Sequence, residues 1–133
     1  MKEVVNFLNE NPVQYLATVG IDGKAKCRPF MFCFEKNKKL WFCTNNKKKV
    51  YEEMKKNPFI EICISNTNYT WLRLSGKVVF KNDYEIRKCC FENPIVKEQY
   101  RTPENPIFEV FYLENAYAII TDMSGKLPKE YKL

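Results

Sequence analysis

Short runs of alternating apolar and polar residues, separated by turn residues, recur along most of this chain of 133 residues. The alternation is clear over residues 15–19 and leads into the turn pair Asp22-Gly23 and a return strand over residues 24–34. Pro29, within the return strand, has no N–H for a ladder hydrogen bond, which predicts a sheet edge or a bulge there. Consecutive hairpins of this kind predict an antiparallel, mainly β fold.

The other predicted elements follow from the same local patterns. Gly76 predicts a bulge in its strand, and Asn82 with Glu85 predicts a capping box that opens a helix. The last two strands are predicted to meet at a tight turn at Glu114-Asn115. Predicted helices span residues 2–10, 48–57, 83–92 and 95–100, further strands span residues 40–43, 59–65, 70–80, 107–113 and 116–121, and residues 124–133 are predicted as a tail.

The length suits one domain, residues 1–133, with a substantial core and is short for two independent domains. Apolar residues make up 45% and aromatic residues 15% of the chain, which argues against disorder and favours strands. Six or seven antiparallel strands with peripheral helices can curl into a barrel. No apolar run is long enough to span a membrane and no signal peptide is recognisable, so we expect a cytoplasmic protein without membrane association.

The charge of the chain favours an anionic partner, because its formal net charge is +6 and its pI is near 9.0. A nucleic-acid-binding barrel, whose strand-borne aromatic rings would stack on bases, is therefore one alternative. The lysines, however, alternate with acidic residues and lie largely in turns. Nucleic-acid binding is accordingly kept as a minor alternative.

The absence of histidine excludes several chemistries. It removes Ser-His-Asp and Cys-His catalysis, histidine-ligated haem and most catalytic zinc sites. The six cysteines include no Cys-x-x-Cys pair, and four of them lie in apolar strand-like runs, where a free thiol packs as a small hydrophobe. No metal site is predicted, and we expect a cofactor to supply any redox chemistry.

Residues 40–58 form the stretch with the clearest functional signal. An apolar strand runs through Thr44, Asn45 and Asn46 into three lysines and the start of a helix. Free backbone N–H groups and lysine ammonium groups would converge there, an arrangement that binds anions. Lysines are unfavourable at a helix N-terminus unless an anion or solvent offsets them. A hairpin-to-helix junction with a solvated lysine run accounts for the same residues equally well.

Five segments, taken in order, carry a resemblance to a known family. They are an N-terminal helix, the hairpin that ends in RPF, and the segments FCTNNKKKVYEEMKKNP, WLRLSGKV and FEVFYLENAYAIIT. Their order and spacing resemble the pyridoxamine 5'-phosphate oxidase-like family, the FMN-binding split barrels, and its short stand-alone members in particular. The resemblance covers nearly the whole chain. It implies a six-stranded antiparallel split β-barrel that forms a homodimer, with FMN bound at the subunit interface.

The resemblance also implies which residues hold the cofactor. The second strand would line the flavin, the residues after Cys43 would close over it, and Lys48 would hold the phosphate, with Lys47 and Lys49 as alternatives because the lysine run does not align uniquely. Trp71 matches a position near the ring, although a core or dimer contact explains it as well. The implied set is Arg28, Pro29, Phe30, Cys43, Thr44, Asn45, Lys48, Lys49, Trp71 and Arg73, and the faces of Phe30, Phe42 and Trp71 are candidates to cover the flat ring.

The function implied by the resemblance is that of a flavin-dependent oxidoreductase acting on a small molecule. Genuine pyridoxamine phosphate oxidases carry a C-terminal substrate segment with arginine and histidine, which this sequence lacks, so oxidation of pyridoxamine phosphate is not expected. The nitroimidazole-reductase and haem-degrading branches commonly use a histidine and lose support for the same reason. The alternative is a protein that binds flavin or deazaflavin for electron transfer without turnover. No catalytic residue is assigned.

Overall fold

The computed structural model describes residues 1–133 and contains eight strands and four helices. None of the helices is both long and apolar enough to cross a membrane. The helices are α1 (Lys2–Glu10), α2 (Lys49–Lys56), α3 (Tyr84–Cys90) and α4 (Pro94–Tyr100). The strands are β1 (Gln14–Val19), β2 (Ala25–Phe30), β3 (Phe32–Lys36), β4 (Lys39–Asn45), β5 (Phe59–Ser65), β6 (Trp71–Phe80), β7 (Phe108–Thr121) and β8 (Lys129–Lys132).

All strand pairs are antiparallel and belong to one curled sheet with the order β2-β1-β5-β6-β7-β4-β3, while β8 pairs with β7 outside this path. The two edge strands, β2 and β3, are joined by Met31 alone. Because one residue links opposite edges, the sheet has to curl until those edges come together. This confirms the prediction of a mainly β, antiparallel barrel with peripheral helices.

The interior of the barrel is apolar because successive strand residues face opposite sides. On β6, for example, Leu72 and Leu74 are fully buried while Arg73 between them is exposed. Helix α2 contributes Val50 and Met54 to this core, as their four-residue spacing predicted.

A second, smaller core lies on the outer face of β4 and β7, where α3 and α4 pack against the sheet. It contains Trp41, Phe108, Val110, Val96 and Tyr100, together with residues of α3. Strand β4 is therefore covered on both faces, which explains its continuous apolar run. The placement of α4 beside the end of β4 positions the candidate site described below.

Several predicted boundaries were wrong, chiefly where the sheet changes direction. Residues 24–34, predicted as one strand, form β2 and β3 with a break at Met31, so the strand count exceeds six. Pro29 lies on edge strand β2, as its missing N–H predicted. The predicted tail contributes β8, which pairs with residues 117–120 of β7.

The predicted turn at Glu114-Asn115 is instead a bulge inside the continuous strand β7. Its register against β6 shifts between Ser75 and Lys77, and Asn115 takes up the irregularity with a φ of 53°. Gly76, predicted to mark a bulge, lies opposite it, where a Cβ atom would come within 3.0 Å of Leu113 Cβ.

The cap of α3 also differs from the prediction. Asp83, not Asn82, is the N-cap residue, and its carboxylate accepts hydrogen bonds from the N–H groups of Glu85 and Ile86. Asn82 Oδ1 instead accepts a hydrogen bond of 2.9 Å from Arg87 Nη1. The helix consequently spans residues 84–90 rather than 83–92.

Candidate cofactor site at the turn between β4 and α2

The turn that joins β4 to α2 is held in place by Asn45, a buried amide. Asn45 Oδ1 accepts a hydrogen bond of 3.0 Å from the N–H of Lys47, and Asn45 Nδ2 donates one of 3.0 Å to the hydroxyl of Tyr100 on α4. Asn46 continues the anchoring, because its Nδ2 donates to Pro106 O and to Glu109 Oε2, each at 3.0 Å. The two asparagines that precede the lysines therefore fasten the turn to α4 and to the start of β7.

The start of α2 carries cations and has no side-chain cap. Lys48 is the N-cap residue, with extended backbone angles, and no side chain accepts a hydrogen bond from the first turn. Lys47, Lys48 and Lys49 are all exposed. A helix start with unsatisfied N–H groups and three lysines attracts anions, because the N-terminal end of the helix dipole is positive, as are the ammonium groups.

Thr44, the residue just before this turn, holds an unsatisfied polar atom. Its side chain is 2% exposed, and its Oγ1 is the one buried side-chain oxygen or nitrogen in the structure without a hydrogen-bond partner. A buried hydroxyl costs free energy unless protein, water or a ligand supplies a hydrogen bond. Thr44 adjoins the cationic turn, and its side chain lies on the face of β4 opposite to that of Cys43.

An apolar cleft of about 460 Å³ opens next to the turn. Its walls come from the β2–β3 junction, from β4 and the lysine turn, from α4 and from the residues after α1. The cleft is lined by Pro12, Val13, Pro29, Phe30, Met31, Cys43, Lys48, Ile95, Val96, Gln99 and Tyr100. An apolar slot with an ammonium group at its edge suits a flat aromatic ligand that carries an anionic group.

A second, polar depression of about 630 Å³ lies on the other side of the α2 start. It contains Arg28 and Lys49 together with Glu52 and Glu53. Arg28 Nη2 forms an ion pair of 2.6 Å with Glu53 Oε1, and Arg28 Nη1 donates to Thr18 Oγ1 at 2.7 Å. The guanidinium is thus already bound within the protein.

The sequence of the chain matches a known protein family over most of its length. Residues 1–114 match the family described as pyridoxamine 5'-phosphate oxidase. The chain belongs to the pyridoxamine 5'-phosphate oxidase family. The resemblance drawn from the five sequence segments is thereby confirmed. A search among curated proteins found no match.

Several solved structures have a similar fold over almost the whole length of this chain. A NimC/NimA family protein from Clostridium acetobutylicum is 31% identical, with a TM-score of 0.90 over 100% of this chain and 92% of that chain. A pyridoxamine 5'-phosphate oxidase-related, FMN-binding protein from Nostoc punctiforme is 14% identical, with a TM-score of 0.69 over 97% and 87% of the two chains. A haem-binding protein from Mycobacterium smegmatis is 13% identical, with a TM-score of 0.73 over 93% and 54%.

The structure brings together part of the residue set that the family resemblance implied. Pro29, Phe30, Cys43 and Lys48 line the apolar cleft, and Thr44 and Asn45 lie in and beside the adjoining turn. Arg28 and Lys49 line the polar depression instead. Phe42 is fully buried and stacks on Phe111 with ring centroids 5.4 Å apart, so its face belongs to the core, contrary to the prediction that it could cover the ring.

Trp71 and Arg73 lie far from the cleft along the sheet. Trp71 stands opposite Thr121 at the end of β7, whereas Cys43 stands opposite Val110 near its beginning. Arg73 Nη2 pairs with Glu61 Oε1 at 2.9 Å on the exposed face of the sheet. The fold of the single chain therefore does not bring these two residues to the cleft lined by Phe30 and Lys48.

Two features of the candidate site were not predicted from the sequence. The first is the contribution of α4, because the hydrogen bond between Tyr100 and Asn45 joins residues that share no local pattern. The second is a group of thiols: Cys33, Cys43 and Cys90 come together behind the cleft, with their Sγ atoms within 4.8 Å of one another.

The electrostatics of this thiol group are set by its internal hydrogen bonds. Cys33 Sγ donates to Cys43 Sγ at a distance of 3.6 Å. This bond lowers the pKa of the Cys43 thiol well below its ordinary value and raises the pKa of the Cys33 thiol. The positive charge of Lys48 further lowers the pKa of Cys43.

Proposed function

We propose that this chain binds FMN non-covalently in a homodimer and acts as a flavin-dependent oxidoreductase on a small molecule. The observation that carries the proposal is Lys48 at the edge of the apolar cleft, at an uncapped helix start with three exposed lysines. These groups offer an anion what a phosphate needs: positive charge and free backbone N–H groups. Membership of a family that includes FMN-binding proteins supports the choice of ligand.

Lys48 is the residue we assign to the phosphate. Among the three lysines it is the one that lines the apolar cleft, whereas Lys49 lines the polar depression. Asn45 and its hydrogen bonds to Lys47 and Tyr100 would fix the backbone of the turn before the ligand arrives. A turn that is already ordered loses little conformational entropy on binding.

The apolar cleft would hold the flat ring of the flavin. Phe30 and Pro29 form one wall and Tyr100 with Val96 forms another. When bound, FMN supplies hydride or single-electron transfer, and the chain supplies position and exclusion of water. Burial raises the pKa of the Tyr100 hydroxyl, which accepts the hydrogen bond from Asn45 Nδ2 and so holds the turn against α4.

The dimer is proposed because an apolar sheet face next to the cleft lacks cover. Tyr15 is 48% exposed, although its strand β1 lies inside the sheet, where Tyr15 is flanked by Pro29 of β2 and Cys63 of β5. A second subunit would cover such a face and could bring its own Trp71 or Arg73 to the cleft. The exposed apolar residues of this face on β1, β2 and β5 are Tyr15, Ala17, Val19, Ala25, Cys27, Pro29, Phe59 and Cys63.

Flavin binding without turnover is the second candidate, and the lining of the cleft favours it. The ionisable lining residues are Cys43, Lys48 and Tyr100, with no carboxylate among them. The cleft therefore offers neither a carboxylate nor a histidine as a general acid or base. FMN or a deazaflavin held for electron transfer requires none.

The test is the absorption spectrum of the purified protein and its titration with FMN. We expect a yellow protein whose flavin absorption survives dialysis, and an apoprotein that takes up FMN at micromolar concentration. A colourless protein that takes up no FMN contradicts the proposal. Parallel titrations with a deazaflavin and with haemin show whether another cofactor binds in preference to FMN.

Turnover is tested on the reduced holoprotein mixed with candidate acceptors. Oxidation faster than that of free FMN supports an oxidoreductase. Oxidation at the rate of free FMN supports the second candidate, in which the flavin is held without a substrate.

A further inference from the structure

Three cysteines from three different elements meet behind the candidate cofactor cleft. Cys33 lies on β3, Cys43 on β4 and Cys90 at the end of α3, and all three Sγ atoms lie within 4.8 Å of one another. Cys33 and Cys43 are half-buried, and Cys90 is 2% exposed. Three sulfurs converging on one point, with no histidine or carboxylate in the group, form a donor set of a single chemical type.

We propose that Cys33, Cys43 and Cys90 form a three-sulfur binding site for a soft metal ion, Cu(I). Thiolate ligands select soft ions, and a site made only of sulfur disfavours the harder ions that take oxygen. Structural zinc is almost always bound by four protein ligands, so three sulfurs alone suit it poorly. This inference does not depend on FMN, since no residue of the phosphate turn belongs to the sulfur group.

The geometry of the thiols is close to that of a bound state. A metal–sulfur bond of about 2.3 Å places the three sulfurs of a trigonal site about 4 Å apart. Cys33 and Cys43 are 3.6 Å apart, and no pair in the group exceeds 4.8 Å. Small rotations of side chains would complete the site, without movement of the strands that carry them.

The surroundings of the group suit a sulfur-bound cation of low charge. Trp41, Ile86 and Val96 belong to the same buried cluster as Cys90, so water is largely excluded from one side. Three thiolates with one Cu(I) carry a net negative charge, and positive side chains lie on both sides of the group. Lys48 lines the cleft that Cys43 borders, and Lys36 lines a second cleft that Cys33 and Cys90 border.

The second cleft provides a route for the ion. It has a volume of about 590 Å³ and is lined by Cys89, Glu35 and Glu92 in addition to Cys33 and Cys90. Two carboxylates at the opening attract cations, and the thiol of Cys89 is a further sulfur on the way in. Cys89 Sγ is held by a hydrogen bond of 3.4 Å from Lys36 Nζ.

The experiment is a competition for Cu(I) between the fully reduced protein and a colorimetric Cu(I) chelator, without oxygen. We expect one equivalent of Cu(I) per chain, and sulfur as the only ligand type in the X-ray absorption spectrum. Cys33→Ser, Cys43→Ser and Cys90→Ser should each weaken binding by about tenfold or more, as even changes outside the ligand set commonly do.

Two exposed cysteines provide matched controls. Cys27→Ser and Cys63→Ser alter thiols outside the group and should leave Cu(I) affinity unchanged. Circular dichroism and urea unfolding show whether each variant is folded. Cys43→Ala is a second test of the group should Cys90→Ser fail to fold, because Cys43 borders an open cleft.

Three outcomes would overturn the inference. The first is wild-type protein that does not compete for Cu(I), which would leave the thiols as packing groups. The second is equal affinity in the group variants and the controls. The third is preferential binding of Zn(II) over Cu(I) at the same three cysteines, because it would require a ligand beyond the three sulfurs.

Discussion

Arg28 and Glu53 form an ion pair of 2.6 Å between β2 and α2, and the carboxylate of Glu53 is almost completely buried. The same Glu53 oxygen accepts a hydrogen bond of 2.8 Å from Thr18 Oγ1, which in turn accepts one of 2.7 Å from Arg28. The three side chains thus satisfy one another. The arginine that the family resemblance assigned to the flavin fastens α2, and with it the lysine turn, to the edge of the barrel.

Replacement of Arg28 should therefore destabilise the apoprotein. Arg28→Ala leaves the buried carboxylate of Glu53 without its cation, and we expect the free energy of unfolding to fall by about 2–3 kcal/mol. Urea unfolding measures it. Arg73→Ala is the matched control, because its ion pair with Glu61 is exposed on both sides and should contribute about 0–1 kcal/mol. Equal stability of Arg28→Ala and wild type would contradict a structural role for Arg28.

Thr44 provides a test that separates ligand binding from folding. Its hydroxyl has no partner, so Thr44→Val should leave the apoprotein as stable as wild type or raise the free energy of unfolding by about 1 kcal/mol. The same substitution should weaken FMN binding by about tenfold, because the family resemblance implies that this hydroxyl contacts the cofactor. Urea unfolding of the apoprotein and fluorescence titration with FMN measure the two effects.

The control for this substitution is Thr18→Val, at a threonine whose hydroxyl is fully engaged. Loss of the Thr18 hydroxyl should lower the free energy of unfolding by about 1–2 kcal/mol, since Arg28 and Glu53 lose a hydrogen-bond partner that they share. A Thr44→Val apoprotein that is destabilised as much as Thr18→Val would show that Thr44 has a structural partner after all.

The parts of the fold that could be predicted from the sequence depend on contacts close along the chain. The inward spacing of Val50 and Met54, the hairpin at Asp22-Gly23 and the edge position of Pro29 each follow from local geometry, and the structure contains all three. The lysine turn was recognised for the same reason, because strand, turn and helix start are consecutive.

The parts that could not be predicted depend on which distant residues meet. Arg28 looked free for a ligand because Glu53, its partner, lies on a helix with no sequence pattern that links it to β2. The bulge at Asn115 resembled a turn, since the pairing of β7 with β6 on both sides of it is a property of the sheet. The thiol group escaped notice because Cys90 reaches it only when α3 packs on the barrel.

The docking of the C-terminal strand should depend on pH. Glu3 on α1 accepts hydrogen bonds from the hydroxyl of Tyr131 and from Lys129 Nζ, and the bond from Tyr131 is the main cause of the lowered pKa of the Glu3 carboxyl. A pKa lowered by folding stabilises the folded state above the ordinary value and ceases to do so as the pH falls through the lowered value. Docking of β8 should therefore weaken below about pH 4.3.

Hydrogen exchange of the β8 amides during an acid titration measures this effect. Tyr131→Phe should raise the pKa of Glu3 toward its ordinary value and increase exchange in β8 at neutral pH. Tyr69→Phe, in an exposed loop, should change neither quantity. Unchanged exchange in Tyr131→Phe would show that the backbone pairing of β8 with β7 is sufficient to hold the strand.

The three lysines of the turn should contribute unequally to FMN affinity. Lys48→Ala should weaken binding by about tenfold, because it removes a charge–phosphate hydrogen bond at the rim of the cleft, while the fold is unchanged. Lys49→Ala should have a smaller effect, since Lys49 lines the polar depression on the other side of α2. Fluorescence titration with FMN measures the affinities, and Lys55→Ala in the last turn of the same helix is the control.

A larger effect of Lys47→Ala or Lys49→Ala than of Lys48→Ala would move the phosphate to a different residue of the turn. Equal affinity in all three variants would remove the phosphate from this turn altogether. Comparison with riboflavin, which lacks the phosphate, provides an internal check, because its affinity should be insensitive to Lys48.

The exposed sheet face should control both association and cofactor binding. Tyr15→Lys places a charge in the middle of this face, next to Pro29 at the rim of the cleft, and a charge is unfavourable in the centre of an apolar interface. We expect a folded monomer with greatly weakened FMN binding, because a site shared by two subunits is incomplete in one. Sedimentation measures the mass, and Tyr69→Lys in the loop before β6 is the control. A monomeric Tyr15→Lys protein that binds FMN as tightly as wild type would place the whole site within one subunit, and a monomeric wild-type protein would contradict the dimer itself.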